Sequence, residues 1–156
     1  MKDLERFLIE ANEHGYASGN PGVKEEDGST TIVYPPEGDV DSWSFKDHFY
    51  GGEPYGGQEV IFRDGRPYWT MVYYGSVYEE ADLKRVYAFL QKALIQPQEG
   101  IPVRGPVRFQ DAGMLYKNST EGDLHKFYGS EYILDEAGDE LYYAYYVGGL
   151  VDQRRE

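Results

Sequence analysis

The chain has 156 residues, a length typical of one domain, and we expect residues 1–156 to form a single domain with a substantial hydrophobic core. The absence of cysteine excludes disulfides, thiolate metal ligands and a cysteine nucleophile. A formal net charge of -13 opposes contact with phosphate backbones and anionic membrane surfaces, so we expect no direct nucleic-acid partner and no membrane partner.

The N-terminal segment predicts one short amphipathic helix over residues 3–14, with Gly15 ending it. Its apolar side chains recur at helical spacing, as Leu4, Phe7, Leu8 and Ala11. This segment carries no apolar signal sequence, and no stretch of the chain approaches the ~20 apolar residues of a membrane span. We therefore expect a cytoplasmic protein.

The first half continues with a loop and then with strands. Residues 17–41 are rich in glycine, proline and acidic residues, which predicts a long surface loop with a short extended piece at residues 31–34. A strand is expected around residues 43–50. Aromatic and β-branched runs flank Asp64-Gly65 and indicate a hairpin, because this dipeptide favours the tight turn between antiparallel strands.

The second half begins with a predicted helix over residues 79–95, ended by Pro97. Its apolar face consists of Leu83, Val86, Tyr87, Leu90 and Leu94. Extended segments are predicted next, at residues 103–109, 114–118 and 124–128. A final hairpin is expected over residues 131–151, with its turn at residues 135–139.

The two hairpins resemble each other in sequence, which suggests an internal duplication. Glycine, glutamate and isoleucine recur at matching positions, as Gly57, Glu59 and Ile61 in the first hairpin and Gly129, Glu131 and Ile133 in the second. Further matches follow a turn that is one residue longer in the second hairpin, namely Tyr73 with Tyr146 and Gly75 with Gly148. The two halves of the repeat would be residues 1–78 and 79–156.

These elements together indicate an α+β fold. We expect a curved antiparallel sheet of about six to eight strands, with the two helices packed on one face. The 16 tyrosines suit such a sheet, because tyrosine packs its ring against the sheet and leaves its hydroxyl for a polar partner or water.

Several short motifs, taken together, are similar to those of one known family. They are Phe7-Leu8, Tyr16-Ala17-Ser18-Gly19, the runs 51–59 and 65–75, Arg104-Gly105-Pro106, Gly129-Ser130-Glu131, and the run 146–150. With these motifs the chain resembles, over nearly its full length, the bacterial and archaeal family DUF5680, a domain of unknown function. The resemblance implies no established activity. Some members carry the domain behind a helix-turn-helix of the Xre type, which implies a sensing or interaction module, whereas here the residues before Tyr16 suffice for one helix.

Glu59 and Glu131 form the best candidate carboxylate pair, since they hold equivalent positions in the proposed repeat. If a twofold axis relates the two hairpins, these side chains can face each other across it. Paired carboxylates perform acid/base chemistry when burial separates their pKa values. A structural role, with an arginine or backbone N–H groups as partners, is the simpler interpretation, and contact with a ligand is the third.

Four aromatic residues and one arginine complete the candidate site. Trp69 shares a strand face with Tyr73, and Tyr142 shares one with Tyr146, because each pair is separated by an even number of residues. These rings either pack in the core or line a pocket whose polar groups are tyrosine hydroxyls and the two glutamates. Arg104 is a candidate anchor for a ligand carboxylate or for the first of those glutamates, with a surface salt bridge as the alternative.

We expect neither a metal site nor a cofactor. The three histidines, His14, His48 and His125, are too far apart in sequence to form a local metal-binding motif. The glycine pairs at residues 51–52 and 56–57 are followed neither by a lysine-serine or lysine-threonine pair nor by a helix, so they lack the features of a phosphate-binding loop.

The sequence leaves three functions open. The leading hypothesis is a non-catalytic domain that binds a small molecule or a partner. One alternative is a small metal-independent enzyme in which Glu59 or Glu131 acts as the acid or base. The other is a structural protein whose exposed tyrosines form a homodimer interface.

Overall fold

The computed structural model describes residues 1–96, 98 and 100–154 of the chain. This part contains two α-helices, α1 (Lys2–Glu13) and α2 (Leu83–Leu94), and a 3-10 helix at Tyr16–Ser18. Neither α-helix is long and apolar enough to cross a membrane. The predicted helix end at Pro97 lies outside the described residues.

The described residues form nine strands, and these make up one antiparallel sheet. The strands are β1 (Val23–Lys24), β2 (Thr30–Tyr34), β3 (Trp43–Tyr50), β4 (Tyr55–Arg63), β5 (Arg66–Val77), β6 (Arg108–Asp111), β7 (Met114–Asp123), β8 (Lys126–Leu134) and β9 (Glu140–Leu150). Their order is β1-β2-β3-β4-β5-β9-β8-β7-β6, and the sheet is open. The predicted α+β class and antiparallel sheet are confirmed, with more strands than the six to eight expected.

The segment predicted as a long surface loop, residues 17–41, contains two of these strands. β2 pairs with β3 along its full length, from Thr30 opposite Phe49 to Tyr34 opposite Phe45. Only its residues 31–34 were expected to be extended. β1 adds two residues at the edge of the sheet. Edge strands of this kind are short and partly exposed, so they carry little of the apolar alternation that identifies a strand in sequence.

The helix ends differ slightly from those predicted. α2 begins four residues after the predicted start, because Asp82 caps it and its Oδ1 accepts a hydrogen bond from the backbone N–H of Arg85 at 3.1 Å. α1 ends with His14 as its C-cap, at a φ of -109°. Gly15 follows this cap and is the N-cap of the 3-10 helix, with φ of -91°, so the helix ends beside the predicted glycine but without the left-handed conformation that is common there.

The hairpin turns lie where the sequence places them. Between β4 and β5, Asp64 and Gly65 have φ of 51° and 72°, as a two-residue turn of this twist requires. Between β8 and β9, the N–H of Asp135 donates to the carbonyl of Asp139 at 3.0 Å. The extended segment predicted at residues 124–128 and the start of the last hairpin form one continuous strand, β8.

Each α-helix contributes its apolar stripe to one core cluster. The buried residues of α1 pack in a cluster that includes Trp43, Phe45, Ile61, Trp69, Met71 and Tyr73 from β3, β4 and β5. The buried residues of α2 pack in a cluster that includes Met114, Tyr116, Ile133, Tyr142 and Ala144 from β7, β8 and β9, together with Val77 from β5. The sheet residues of both clusters alternate along their strands and define what we call the inner face of the sheet.

The two hairpins meet at the centre of the sheet, where β5 pairs with β9 and Tyr73 lies opposite Tyr146. Within each hairpin the tyrosine is the cross-strand partner of a glycine, Gly57 in the first and Gly129 in the second. A Cβ on Gly57 would lie 2.6 Å from the Tyr73 hydroxyl oxygen, and one on Gly129 would lie 2.4 Å from that of Tyr146. Glycine is therefore required at both places, because each ring lies over it.

Candidate functional site

A cavity of about 150 Å³ lies among the 3-10 helix, the inner face of β3, β4 and β5, and α2. Six aromatic side chains contribute to its wall: Tyr16, Phe45, Phe49, Tyr55, Tyr73 and Tyr87. Three charged side chains also line it, namely Asp47, Glu59 and Arg104. An engineered apolar cavity of about this volume holds benzene, so the space is that of a small organic molecule.

Asp47 enters the cavity from β3. It is only 5% exposed, and its Oδ1 accepts a hydrogen bond from the Tyr73 hydroxyl at 2.6 Å. Burial raises the pKa of the Asp47 carboxyl to about 6, although the hydrogen bond from Tyr73 opposes this rise. The group therefore changes its charge near neutral pH.

Glu59 stands directly opposite Asp47 across the β3–β4 pairing, so both side chains point to the inner face. No described residue donates a hydrogen bond to the Glu59 carboxylate, although its backbone carbonyl accepts one from Thr70 at 2.8 Å. Burial, and then the charge of Asp47, raise the pKa of Glu59 to about 8. The pair therefore has one carboxyl group that titrates below neutrality and one that titrates above it.

Arg104 reaches the cavity from the segment between α2 and β6. Its backbone is left-handed, with φ of 67°, a conformation that is uncommon for a residue with a side chain. The next residue, Gly105, donates its N–H to the Tyr116 hydroxyl at 3.1 Å, and a Cβ there would lie 2.7 Å from that same oxygen. This close packing fixes the turn that aims the guanidinium, which lies 5.6 Å from the centre of the Tyr73 ring.

The charge of Arg104 is neutralised by Glu131 from β8. The Glu131 side chain is fully buried, and its Oε1 accepts a hydrogen bond from the arginine Nε at 3.1 Å and a second one from Nη2. Tyr116 and Tyr142 also donate to this carboxylate, at 2.5 and 2.8 Å. Burial alone would lower the pKa of Arg104, but the Glu131 carboxylate holds it well above its ordinary value. The arginine is thus a permanent cation with a dedicated partner.

A family model matches two thirds of the chain. The model is that of a domain of unknown function (DUF5680), and it covers residues 47–151. The chain belongs to this family. Comparison with curated proteins and with solved structures gives no match.

The matched region of the DUF5680 domain begins at Asp47 and contains Glu59, Arg104 and Glu131. It therefore includes every charged residue of the cavity and the partner of the arginine. The 3-10 helix with Tyr16, which closes another side of the cavity, precedes the match.

The residues predicted for the site fall into three groups in the DUF5680 domain. Glu59, Tyr73 and Arg104 line the cavity. Glu131 and Tyr142 do not line it. Glu131 accepts a hydrogen bond from Arg104, and Tyr142 donates one to Glu131. In addition, the Tyr142 hydroxyl is hydrogen-bonded to that of Tyr55, which does line the cavity.

Trp69 and Tyr146, the remaining predicted site residues, lie in the core and not at the cavity. Trp69 is 0% exposed and stacks on Phe127, with ring centres 5.5 Å apart, and its Nε1 has no hydrogen-bond partner among the described residues. The Tyr146 hydroxyl donates to Asn118 Oδ1 at 2.5 Å. For these two residues the packing interpretation describes the structure.

Five aromatic residues of the cavity wall and one charged residue were not predicted from the sequence: Tyr16, Phe45, Phe49, Tyr55, Tyr87 and Asp47. Asp47 is the one with a clear signal in the sequence. It follows Trp43 and Phe45 at intervals of two along β3 and precedes Phe49, so it is a carboxylate within an apolar stripe. That alternation was available in the sequence, because positions two apart share a face of a strand. In the described part of the DUF5680 domain, no three histidine, aspartate or glutamate side chains are grouped as metal ligands.

Proposed function

We propose that this domain binds a small organic molecule in the cavity without transforming it. The observation that carries the proposal is the cavity itself, with its six aromatic side chains and three charged ones. Concave sites of mostly apolar lining with a few convergent polar groups are typical of ligand binding. We assign Glu59, Tyr73 and Arg104 to contact with the ligand, and Glu131 and Tyr142 to positioning the arginine.

A cavity-blocking variant tests this function. Gly52 lines the cavity, and a Cβ added there meets no atom within 4 Å, so Gly52→Phe should occupy the space without straining the backbone. A thermal-shift screen of a small-molecule library should find compounds that stabilise the wild type but not Gly52→Phe. The proposed function is wrong if every stabilising compound raises the unfolding temperature of both proteins equally.

Two tyrosine variants give a matched pair for the same screen. Tyr73→Leu removes a ring from the cavity wall, whereas Tyr146→Leu removes its counterpart in the other hairpin, outside the cavity. We expect Tyr73→Leu to lower the apparent affinity for the stabilising compounds at least tenfold. Tyr146→Leu should leave that affinity unchanged. Equal losses in both variants would place the binding elsewhere.

We also propose that the domain arose by duplication, with both helices on the inner face of the sheet. The strand order supports this, since β4-β3-β2 follow β5 on one side as β8-β7-β6 follow β9 on the other. The helices support it as well, because the buried positions of α1 and α2 have the same spacing: Leu4, Phe7, Leu8 and Ala11 against Val86, Phe89, Leu90 and Ala93. A determined structure in which the two halves fail to superpose would refute the duplication.

An enzyme is the second candidate, favoured by the pairing of Asp47 with Glu59. A carboxyl group with a pKa of about 6 beside one with a pKa of about 8 suits acid/base catalysis near neutral pH. Incubation of the wild type with a metabolite extract, followed by mass spectrometry, should then show depletion of one compound. The double variant Asp47→Asn/Glu59→Gln should show none.

A homodimer is the third candidate, favoured by exposed apolar side chains on the outer face of the sheet. They are Val72, Tyr74, Tyr128, Tyr145 and Val147. Light scattering should then give twice the monomer mass for the wild type and the monomer mass for Tyr145→Glu.

For DNA we expect no gel shift at ordinary salt, because the net charge of -13 repels phosphate.

A further inference from the structure

We propose that the ligand is an organic cation, a primary amine or guanidinium on a small apolar body, whose charged group binds between Asp47 and Glu59. The inference rests on the proposed function, since it names the class of molecule that the cavity takes. It is carried by the charges, the unfilled acceptors and the aromatic walls of the cavity.

The charges of the site leave two carboxylates without a cation. Arg104 is the only basic side chain among the described residues that line the cavity, and its guanidinium is paired with Glu131. Asp47 and Glu59 form no ion pair within the described part of the chain, although the charge of Arg104 lowers the pKa of both. A bound cation would pair with them and offset part of the cost of ionising carboxyl groups that are withdrawn from water.

The hydrogen-bond acceptors of the site point to the same class of ligand. Asp47 accepts a hydrogen bond from the Tyr73 hydroxyl at Oδ1, its carboxyl group also interacts with the backbone N–H of His48, and no described residue donates to either carboxylate oxygen of Glu59. A carboxyl group that has lost its proton only accepts hydrogen bonds, and a bound cation favours this ionised form of Glu59, whose pKa is otherwise raised to about 8. An ammonium or guanidinium only donates them, so it satisfies both groups at once, whereas a carboxylate or phosphate ligand would add acceptors beside acceptors.

The aromatic wall adds a second attraction for a cation. Cations bind to the faces of tyrosine and phenylalanine rings, most strongly where water is excluded. The cavity is bordered by six such rings, and one of them, Tyr73, already contacts the guanidinium of Arg104. The net charge of -13 raises the local concentration of cations around the protein as a whole.

Three probes of one shape separate the charge from the apolar body. Benzylamine and benzyl alcohol fit the volume of the cavity and differ only in carrying an ammonium or a hydroxyl group on the same carbon, and benzoate is a compound of similar size with a negative group. Isothermal titration or NMR shift mapping on the full chain should give benzylamine an affinity at least tenfold higher than that of benzyl alcohol, with shifts at Tyr73 and Tyr55. Benzoate should bind weakest.

Neutral variants of the two carboxylates test the assigned residues. Asp47→Asn and Glu59→Gln keep the shapes of the side chains, and each should abolish the preference for benzylamine over benzyl alcohol. Glu121→Gln, an exposed glutamate of β7, is the matched control and should keep the full preference. Because an uncharged amide is tolerated in a buried site, we expect both variants to fold. Retained affinity for benzyl alcohol checks directly that they do.

The pH dependence supplies an independent readout. Since the cation requires ionised carboxylates, the affinity for benzylamine should rise between pH 5 and pH 8, and that for benzyl alcohol should not. The other titratable or charged groups that face the pair, directly or through Arg104, are Tyr16, Tyr55, Tyr73, Tyr87, Arg104, Glu131 and His48. The pKa values of these tyrosines and of the arginine are raised from ordinary values that already lie above this range. His48→Gln therefore serves as the control for the histidine.

The outcomes distinguish failure of the inference from failure of the proposed function. If benzyl alcohol or benzoate binds in the cavity as tightly as benzylamine, the cavity is a binding site but not one for cations, and the inference is overturned alone. If none of the probes binds and no library compound discriminates Gly52→Phe from the wild type, both are overturned. A preference for benzylamine over benzyl alcohol that survives in Asp47→Asn and Glu59→Gln also overturns the inference.

Discussion

Glu59 and Glu131 occupy corresponding positions in two hairpins of the same pattern, yet their surroundings differ. Glu131 is fully buried and accepts hydrogen bonds from Arg104, Tyr116 and Tyr142. Glu59 accepts none from the described residues at its carboxylate and borders the cavity. One glutamate is thus the centre of a polar network, and the carboxylate of the other has no hydrogen-bond donor among the described residues.

The segments that precede the two groups of strands, β1–β5 and β6–β9, explain the difference. The segment between α2 and β6 places the Arg104 side chain over the second hairpin, where it pairs with Glu131. The segment between α1 and β1 places the 3-10 helix and Tyr16 at the first hairpin and supplies no cation to the cavity. On the duplication that we propose, one copy stabilises the fold and the other keeps an open site.

A comparison of β3 with β7 extends the contrast. Asp47 lies opposite Glu59, and Asn118 lies opposite Glu131. Asp47 accepts a hydrogen bond from the Tyr73 hydroxyl at 2.6 Å, and the Asn118 side chain accepts one from the Tyr146 hydroxyl at 2.5 Å. The geometry is the same, but the first half has a second carboxylate where the second half has a neutral amide. Four predictions test this contrast.

The largest effect is expected from loss of the cation in the second half. Arg104→Met leaves Glu131 as a buried charge without its cation, with only the hydroxyls of Tyr116 and Tyr142 donating to it, and breaking a buried pair in this way costs ~3–5 kcal/mol. Urea unfolding at pH 7 should show that loss. Arg108→Met, at an exposed position of β6, should change the stability by less than ~0.5 kcal/mol. A loss of similar size in both variants would contradict a structural role for the network.

The glycines beneath the two tyrosines should respond unequally to alanine. A Cβ on Gly129 meets the Tyr146 hydroxyl at 2.4 Å and the carbonyl of Ser119 at 2.5 Å, and this ring is held in the core. A Cβ on Gly57 meets the Tyr73 hydroxyl and the Phe49 Cβ at 2.6 Å and the carbonyl of His48 at 2.7 Å; these contacts are slightly longer than those at Gly129, and Tyr73 and Phe49 border the cavity. We expect Gly129→Ala to cost ~2–3 kcal/mol and Gly57→Ala ~1 kcal/mol less, as overpacking does when neighbours cannot yield. Thermal unfolding of both variants measures the order, and the reverse order would refute it.

The carboxylates of the first half should make the protein less stable as the pH rises. Folding raises the pKa of Glu59 from 4.5 to about 8, so the folded state holds this proton more tightly than the unfolded state does. The contribution is therefore fully favourable below pH 4.5 and is lost progressively up to about pH 8. Glu59→Gln should be more stable than the wild type at pH 8 by at least ~1 kcal/mol.

The same measurement at pH 4.5 provides the internal control. There the wild-type glutamate is largely protonated, so the difference between wild type and Glu59→Gln should nearly vanish. Glu121→Gln, on the exposed side of β7, should not alter the slope with pH. An identical slope in Glu59→Gln and the wild type would show that folding does not raise the pKa of Glu59.

Much of this contrast was accessible from the sequence, and part of it was not. The match of Glu59 with Glu131 and of Tyr73 with Tyr146 follows from local patterns, because strand alternation and turn dipeptides are properties of neighbouring residues. The partner of Arg104 is not local. It depends on the path of the segment between α2 and β6, which the left-handed conformation at Arg104 and the packing of Gly105 determine.

The open half was harder to predict for a physical reason. Its cavity includes Tyr16 from the 3-10 helix and Asp47 from β3, which only the tertiary fold brings near Glu59. The short strands β1 and β2, at one end of the sheet, also lack a clear pattern, since they bury few apolar side chains. Sequence patterns therefore specify the packed hairpins better than they specify the space between the elements.

The smallest effect concerns the tyrosine hydroxyls that the two halves share. Tyr73→Phe removes the hydrogen bond to Asp47, and that bond holds the pKa of Asp47 below the value that burial alone would give. The pKa of Asp47, followed by the NMR shift of its carboxyl carbon, should therefore rise above about 6 in this variant. Because the bond is strongest with the ionised group, its loss should cost more at pH 8 than at pH 5, by ~1 kcal/mol. Tyr146→Phe removes the corresponding bond to the neutral Asn118, so its cost of ~1 kcal/mol should be the same at both pH values. If the two variants show the same dependence on pH, the carboxylate of Asp47 does not titrate in this range, and the distinction between an open, titrating half and a closed, structural half fails.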